Sequence, residues 1–435
     1  MSRKKKFNKI FPKAGLYLLF CIITVSSVTA QDQTSSPYSR FGIGDMLNRS
    51  FGRGEAMGGL GISLSERNSL NLMNPAGIGR MDSVQFIFEI GASNRSALFR
   101  TTDLSRTTNN TSFDYLAMGF PVISKLWKAS IGIMPYSGVG YSMSDTRIDP
   151  LVGEISTEFA GEGGISQFFL QNSFHSEKLK FLSLGFTFSY LFGPTTHSKT
   201  LLFPSDSTYF STRSQTTSIV NDIHLSYGAQ LHFPIKKEYF LDFGGVFENQ
   251  SDMRTESRQL VFASGMGILD TLYYNENKNN SIVLPKAFGG GVSFGKANKF
   301  TIGADYRMQN WENALFLGQK DSLANSQELI IGMEYIPDGL SPLYYYKRMS
   351  YRAGFRYGKS FIQLRETQLE EFGITFGVGL PIRPPDRVSR PSTLNISAEI
   401  GKRGTIENNL ISEFYGLISL QFSLRDFWFY KPKYD

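Results

Sequence analysis

The chain has 435 residues, 45 basic and 38 acidic side chains, 42 glycines and a single cysteine. Removing the six basic residues of the first 30 positions, which contain no acid, lowers the formal charge from +7 to +1. A preference for acidic partners, nucleic acid above all, has no support in such a balance, and without Cys21 there is no disulfide framework or thiol chemistry.

The N-terminus reads as a secretory signal peptide over 1–30. Arg3, Lys4, Lys5, Lys6, Lys9 and Lys13 form a basic region, an apolar run extends from Ala14 to about Val25, and Val28-Thr29-Ala30 supplies small residues for cleavage. After it no apolar run of about twenty residues occurs, which excludes helical membrane spans.

Residues 31–82 differ from all that follows. They carry Ser39-Arg40-Phe41-Gly42-Ile43-Gly44, then Gly58-Gly59, then Asn74-Pro75-Ala76-Gly77. Glycine permits close backbone approach and proline fixes a turn, so a compact irregular segment is expected.

From residue 83 onward the pattern has period two. In 182–192, Leu182, Leu184, Phe186, Phe188, Tyr190 and Phe192 alternate with Ser183, Gly185, Thr187 and Ser189. In 372–380, Phe372, Ile374, Phe376, Val378 and Leu380 alternate with Gly373, Thr375, Gly377 and Gly379. Fourteen such stretches are predicted, at 83–93, 112–122, 127–143, 156–176, 179–192, 219–234, 239–249, 285–296, 299–308, 326–337, 349–363, 370–382, 392–402 and 410–424. The links between them alternate between short and long, with long ones at 94–111, 193–218, 250–284 and 309–325. An apolar outer face, a polar inner face and alternating link lengths predict an all-β, fourteen-stranded antiparallel transmembrane barrel over 83–435. Its place would be the bacterial outer membrane, among outer-membrane lipid. Pro384, Pro385 and Pro391 make 383–391 a stiff inner turn, and Phe427 to Tyr430 an interfacial aromatic cluster.

The 31–82 motifs and the strand count resemble the FadL family of outer-membrane hydrophobic-compound transporters, over nearly the whole mature chain, and the resemblance implies that 31–82 fold as an N-terminal hatch inside the barrel. The Tyr38-Ser39-Arg40-Phe41-Gly42 start and the Trp428-Phe429 ending look closer to the type IX secretion barrels of the PorV and PorQ kind. The resemblance implies that Gly58, Gly59, Asn74, Pro75, Ala76 and Gly77 belong to a gate inside the barrel. It also implies a lateral opening where the third strand is interrupted by Pro135, Gly138 and Gly140. Charges belong in the lumen rather than against lipid. Hatch arginines Arg40, Arg53 and Arg67 are therefore expected to pair with lumenal Asp222, Asp242 and Asp305.

No enzyme is indicated. His224 and His232 share a face but stand eight residues apart, about 26 Å along a strand, too far to share a metal. Gly289-Gly290-Gly291 lacks the helix and lysine of a phosphate loop. Neither cofactor nor metal is expected. Two functions compete: passive transport of a hydrophobic small molecule, or a non-enzymatic accessory barrel in a multiprotein machine for secretion or outer-membrane protein assembly. The first needs a hydrophobic ligand and a continuous apolar path, the second envelope protein partners and a contact surface.

Overall fold

The period-two stretches form one closed antiparallel barrel in a computed structural model, which describes residues 33–427 apart from 48–49, 66, 177, 205–208, 237, 266–267, 318, 321–322 and 383–391. The signal segment, the proline-rich link and the Trp428 to Tyr430 cluster lie outside the described residues. The barrel strands are β1 (Gln85–Arg100), β2 (Ser105–Ile123), β3 (Trp127–Gly138, continued by Tyr141–Asp149), β4 (Gly153–His175), β5 (Leu182–Leu202), β6 (Ser211–Ile235), β7 (Tyr239–Glu248, continued by Ser251–Gly265), β8 (Ile268–Leu284, continued by Ala287–Lys296), β9 (Phe300–Gln309), β10 (Ser326–Tyr335), β11 (Ser350–Leu364), β12 (Thr367–Pro381), β13 (Thr393–Arg403) and β14 (Ser412–Phe427). Each pairs with its neighbours in sequence. β1 closes the barrel on β14, with Gln85 opposite Phe427 and Arg100 opposite Ser412. Closure leaves no edge in the membrane, the condition for strands to cross lipid.

The side-chain alternation falls as the sequence requires. Phe186, Phe243, Ile331, Phe376 and Leu420 are exposed on the outer face. Ser183, Thr187, Asp242, Thr375 and Ser419 are buried on the inner one. At the short-turn end, three residues suffice between β8 and β9, with Asn298 left-handed (φ 57°). That end is periplasmic in barrels of this type.

Three long links expected as loops, 94–111, 193–218 and 250–284, are largely strand instead. β4 runs 23 residues and β6 runs 25, against the 9–11 that cross a membrane. The excess continues β3 to β8 as an open sheet roughly 30 Å above the outer membrane surface at 3.3 Å per residue with tilt. The inward/outward contrast fades there because both faces meet water. The alternation that marks the spans therefore stops before the strands do. The 250–284 link is a hairpin whose two arms pair from Ser251 opposite Leu284 to Gly265 opposite Ile268.

The hatch fills the barrel below this rampart. A 3-10 turn (Pro37–Arg40), a two-residue strand (Asp45–Met46) and a single helical turn (Gly52–Glu55) are its only regular elements among the described residues.

Candidate functional site: the hatch inside the barrel

The hatch lies against the wall around its whole circumference, and the wall yields space with glycine. A Cβ on Gly185 (β5) would strike the Pro75 carbonyl, and one on Gly228 (β6) Asn74. On Gly244 (β7) it would strike Ile62, on Gly332 (β10) and Gly354 (β11) Met57, and on Gly377 (β12) Ala56. Gly58 (φ 79°) and Gly59 (φ 99°) turn the chain in the left-handed region, with Gly58 against the backbone of Phe355.

The Asn74-Pro75-Ala76-Gly77 turn is a hydrogen-bonding hub. Asn74 Nδ2 donates to the Ile62 carbonyl at 2.7 Å and to the Ala229 carbonyl of β6 at 3.2 Å, and its Oδ1 accepts from Ala76 N–H at 2.9 Å. Gly77 N–H donates to the Asn74 carbonyl. From β4, Gln171 Nε2 donates to the Pro75 carbonyl at 3.1 Å and Ser173 Oγ to the Ala76 carbonyl. The Gln171 contact satisfies the Pro75 carbonyl, while the Ala76 carbonyl also accepts from Gly79 N–H within the turn.

Charge pairing joins hatch to wall, with partners that differ from the sequence expectation. Arg53 reaches Glu334 of β10 at 2.7 Å, and Arg352 of β11 reaches the same carboxylate at 2.8 Å. Asp305 of β9 meets hatch backbone instead of an arginine. It accepts from the N–H groups of Gly61 (2.8 Å), Ile62 (2.7 Å) and Ser63 (3.1 Å). Asp242 bonds to His232, a strand neighbour. Asp222 stands high on the wall and binds Arg254 and the Ile223 N–H. Arg40 lies over the Phe159 ring, and Arg67 is exposed at the inner mouth.

The strongest upper lock has the opposite polarity to that expected. Hatch Asp45 is gripped by both terminal nitrogens of Arg403 (β13), each at 3.0 Å. Arg403 and Arg95 also hold Glu413, to which hatch Ser36 donates. Further in, Glu55 accepts from Ser419 and Gln421 of β14. Burial first, and then the nearby Asp114, raise the Glu55 carboxyl to about 8, so it is protonated at neutral pH. Neither Asp45 nor Glu55 has a sequence signature, since their partners lie more than 350 residues away.

The third-strand interruption is a bulge with a seam beside it. The β3–β4 register slips between Pro135 and Ser137. The β2–β3 ladder stops at Leu116 opposite Ile133, and above it no pairing joins these strands among the described residues. The hatch occupies that free edge. Asp45 pairs with Gly138 and Met46 with Ser137, Leu47 N–H donates to the Tyr136 carbonyl, and Ser39 bonds both ways with Gly140.

The space beside the β2–β3 seam mixes charged groups with apolar ones such as Met46, Met73 and Leu417. A cavity of about 270 Å³ touches Pro135, Asp45, Glu55, Asp114, Arg356 and Arg403. Above it, in the outer half of the lumen, lies an apolar core that includes Tyr38, Ile43, Leu191, Met253, Trp311 and Phe361. Trp311 is fully buried and stacks on Phe361.

The BamG family model matches residues 13–435. The chain belongs to the BamG family. In fold it is similar to the toluene transporter TodX of P. putida (13% identity, 88% of this chain and 100% of that one, TM-score 0.60). It is likewise similar to the toluene transporter TbuX of Ralstonia pickettii (14%, 87% and 99%, TM-score 0.55) and to a FadL homologue of Pseudomonas aeruginosa (11%, 87% and 99%, TM-score 0.55). At such identities the likeness establishes a FadL-like outer-membrane barrel fold. No curated protein sequence matches the chain.

Proposed function

We propose that this BamG-family barrel is a non-enzymatic subunit of a multiprotein machine in the bacterial outer membrane, one that secretes or assembles proteins, and that its lumen is closed. The observation that carries the reading is the interior itself. A greasy solute would have to pass a packed apolar plug, then a small cavity lined by paired carboxylates and guanidiniums, then a hatch bonded to the wall on every side. Stripping water from such charges costs several kcal/mol each, and no apolar path compensates. The tall outer sheet offers surface that a simple conduit does not need. The family that spans the chain, BamG, is distinct in name from the toluene transporters that share its fold.

The expected readout is a stoichiometric set of envelope proteins after mild-detergent purification of the tagged protein from native membranes. Recovery of a lone barrel carrying a hydrophobic molecule would overturn the reading. Whether the machine is of the type IX secretion kind or an assembly machine would follow from the identities recovered.

A second reading, passive transport of a hydrophobic compound, has one observation in its favour. The hatch strand Asp45–Met46 covers the β2–β3 seam beside the inner cavity, so its withdrawal would open the wall sideways. Met46 and Ser137 are Cα partners across this pair, close enough for a disulfide. A Met46→Cys/Ser137→Cys bridge would abolish transport. It would leave a machine subunit working.

A further inference from the structure

The periplasmic mouth carries a concentration of positive charge unlike the rest of the molecule. Two adjoining cavities open there, of about 870 and 510 Å³, sharing Arg67, Arg80 and Lys180. Among the described residues, together they are lined by eleven basic and four acidic side chains, on a chain whose formal charge after signal removal is close to zero. Three of the four acids are already engaged: Glu334 by Arg53 and Arg352, Glu238 by Lys296 at 2.8 Å, Asp242 by His232. Arg67, Arg80 and Lys180 form no salt bridge among the described residues, and the nearest counter-charge felt by Arg80 is Asp242, already engaged by His232. Burial, and then the neighbouring Arg67, lower the Arg80 guanidinium to about 10. Two such groups held together with little counter-charge make a standing demand for an anion.

A second feature adjoins the first. The link from β10 to β11, 336–349, is the longest of the inner turns, and it is rich in apolar side chains. Leu340 is 75% and Leu343 82% exposed, followed by exposed Tyr344, Tyr345 and Tyr346. Leu340 and Arg348 of this link line the larger cavity, so the apolar loop and the basic vestibule form one surface. Free phosphate would use the charge but not the leucines. Lipid headgroups lie outside the barrel rim, whereas Arg53 and Arg80 belong to the hatch inside it. A polypeptide with carboxylates beside apolar side chains meets both features.

We propose that this mouth is a docking site for an acidic, leucine-bearing segment of a periplasmic protein. The inference rests on the reading of the barrel as a machine subunit and adds where, and through what chemistry, the machine holds it from the periplasm. Electrostatic attraction supplies the encounter, and burial of Leu340 and Leu343 supplies part of the affinity.

The test uses the full-length protein in detergent and a dye-labelled decapeptide of glutamate and leucine. Wild-type protein should bind it, with affinity falling at least about tenfold in Arg67→Glu/Lys180→Glu and in Leu343→Asp, and falling with salt. A lysine–leucine decapeptide should not bind. A photo-crosslinking amino acid in place of Leu343 should capture the acidic peptide. The proposal is overturned if both peptides bind alike or neither binds. It is also overturned if the charge reversal has no effect, or if inorganic phosphate or phosphatidylglycerol bicelles displace the peptide at equal concentration. Unchanged gel heat-modifiability and hatch protease protection would show that each variant folds. Both Arg67 and Lys180 are exposed, which favours that outcome. In native membranes the double reversal should release one periplasmic protein and keep the remaining partners. Retention of the full set would refute the mouth while leaving the machine intact.

Discussion

Removing the Asp305 carboxylate should free the middle of the hatch. This one side chain accepts three consecutive backbone N–H groups, from Gly61, Ile62 and Ser63, at 2.7 to 3.1 Å. A hydrogen bond to a charged acceptor contributes roughly 1.5–3 kcal/mol, and a buried donor left unpaired costs about 1–3 kcal/mol. The three bonds share one acceptor and are not additive, which brings the expected loss for Asp305→Ala to about 3–5 kcal/mol of local stability. At 1.4 kcal/mol per factor of ten, amide exchange at residues 61–63 should quicken by roughly two to three and a half orders of magnitude. Asp305→Asn keeps one acceptor oxygen and should fall between. The assay is hydrogen exchange with mass spectrometry on detergent-solubilised protein, comparing hatch peptides with β11 and β12 peptides as internal standards. Unchanged protection over 61–63 in Asp305→Ala would refute the claim that this carboxylate holds the hatch. Equal acceleration everywhere would mean that the whole barrel, and not the hatch, had lost stability.

Glu334→Gln leaves Arg53 and Arg352 buried around a neutral group and should cost about 3–5 kcal/mol, read as earlier proteolysis of the hatch with the barrel still resistant. Glu55 gives a pH signature. Its folded pKa of about 8 lies above the unfolded value near 4.5, so the folded state binds the extra proton. Stability is full below about 4.5 and falls toward pH 8 by roughly 1.4 kcal/mol per unit. Glu55→Gln should flatten the slope of thermal unfolding against pH over that window, and an unaltered slope would contradict the burial argument. Gly354→Ala brings a methyl onto hatch backbone at Met57 and Gly58. Overpacking of this kind costs about 1–3 kcal/mol, which should appear as a lower unfolding temperature, whereas alanine at lipid-facing Gly245, with open space around it, should not.

The membrane-spanning part was legible in the sequence because lipid on one side and a packed polar lumen on the other impose strict alternation. Leu184, Phe186 and Tyr190 against Ser183, Thr187 and Ser189 is that physics written out. The signal ends where the environment becomes water on both sides, and for that reason the upper halves of β5 to β8 read as loops. The hatch motifs were legible as turns, and Asn74 to Gly77 do form one. Their wall partners were not, because contact around a barrel joins residues such as Asp45 and Arg403 that no local pattern relates. Pairing arginines with aspartates by type alone missed that Asp305 serves backbone N–H groups, a role any buried carboxylate can take. The basic mouth escaped notice for a similar reason. Arg67, Arg80, Lys180 and Arg348 are isolated in sequence and meet only when hatch and turns converge.

The glycines that line the inner wall also set a chronology. Gly185, Gly228, Gly244, Gly332, Gly354 and Gly377 come from six different strands, and each leaves only enough room for hatch backbone already in position. A ring that tight cannot be threaded after its ends have joined at β1 and β14. The N-terminal segment must therefore lie inside the curling sheet before the sheet closes. Seam closure then becomes the last act of biogenesis, and a chain whose hatch arrived late would be trapped as an unplugged, half-zipped ribbon.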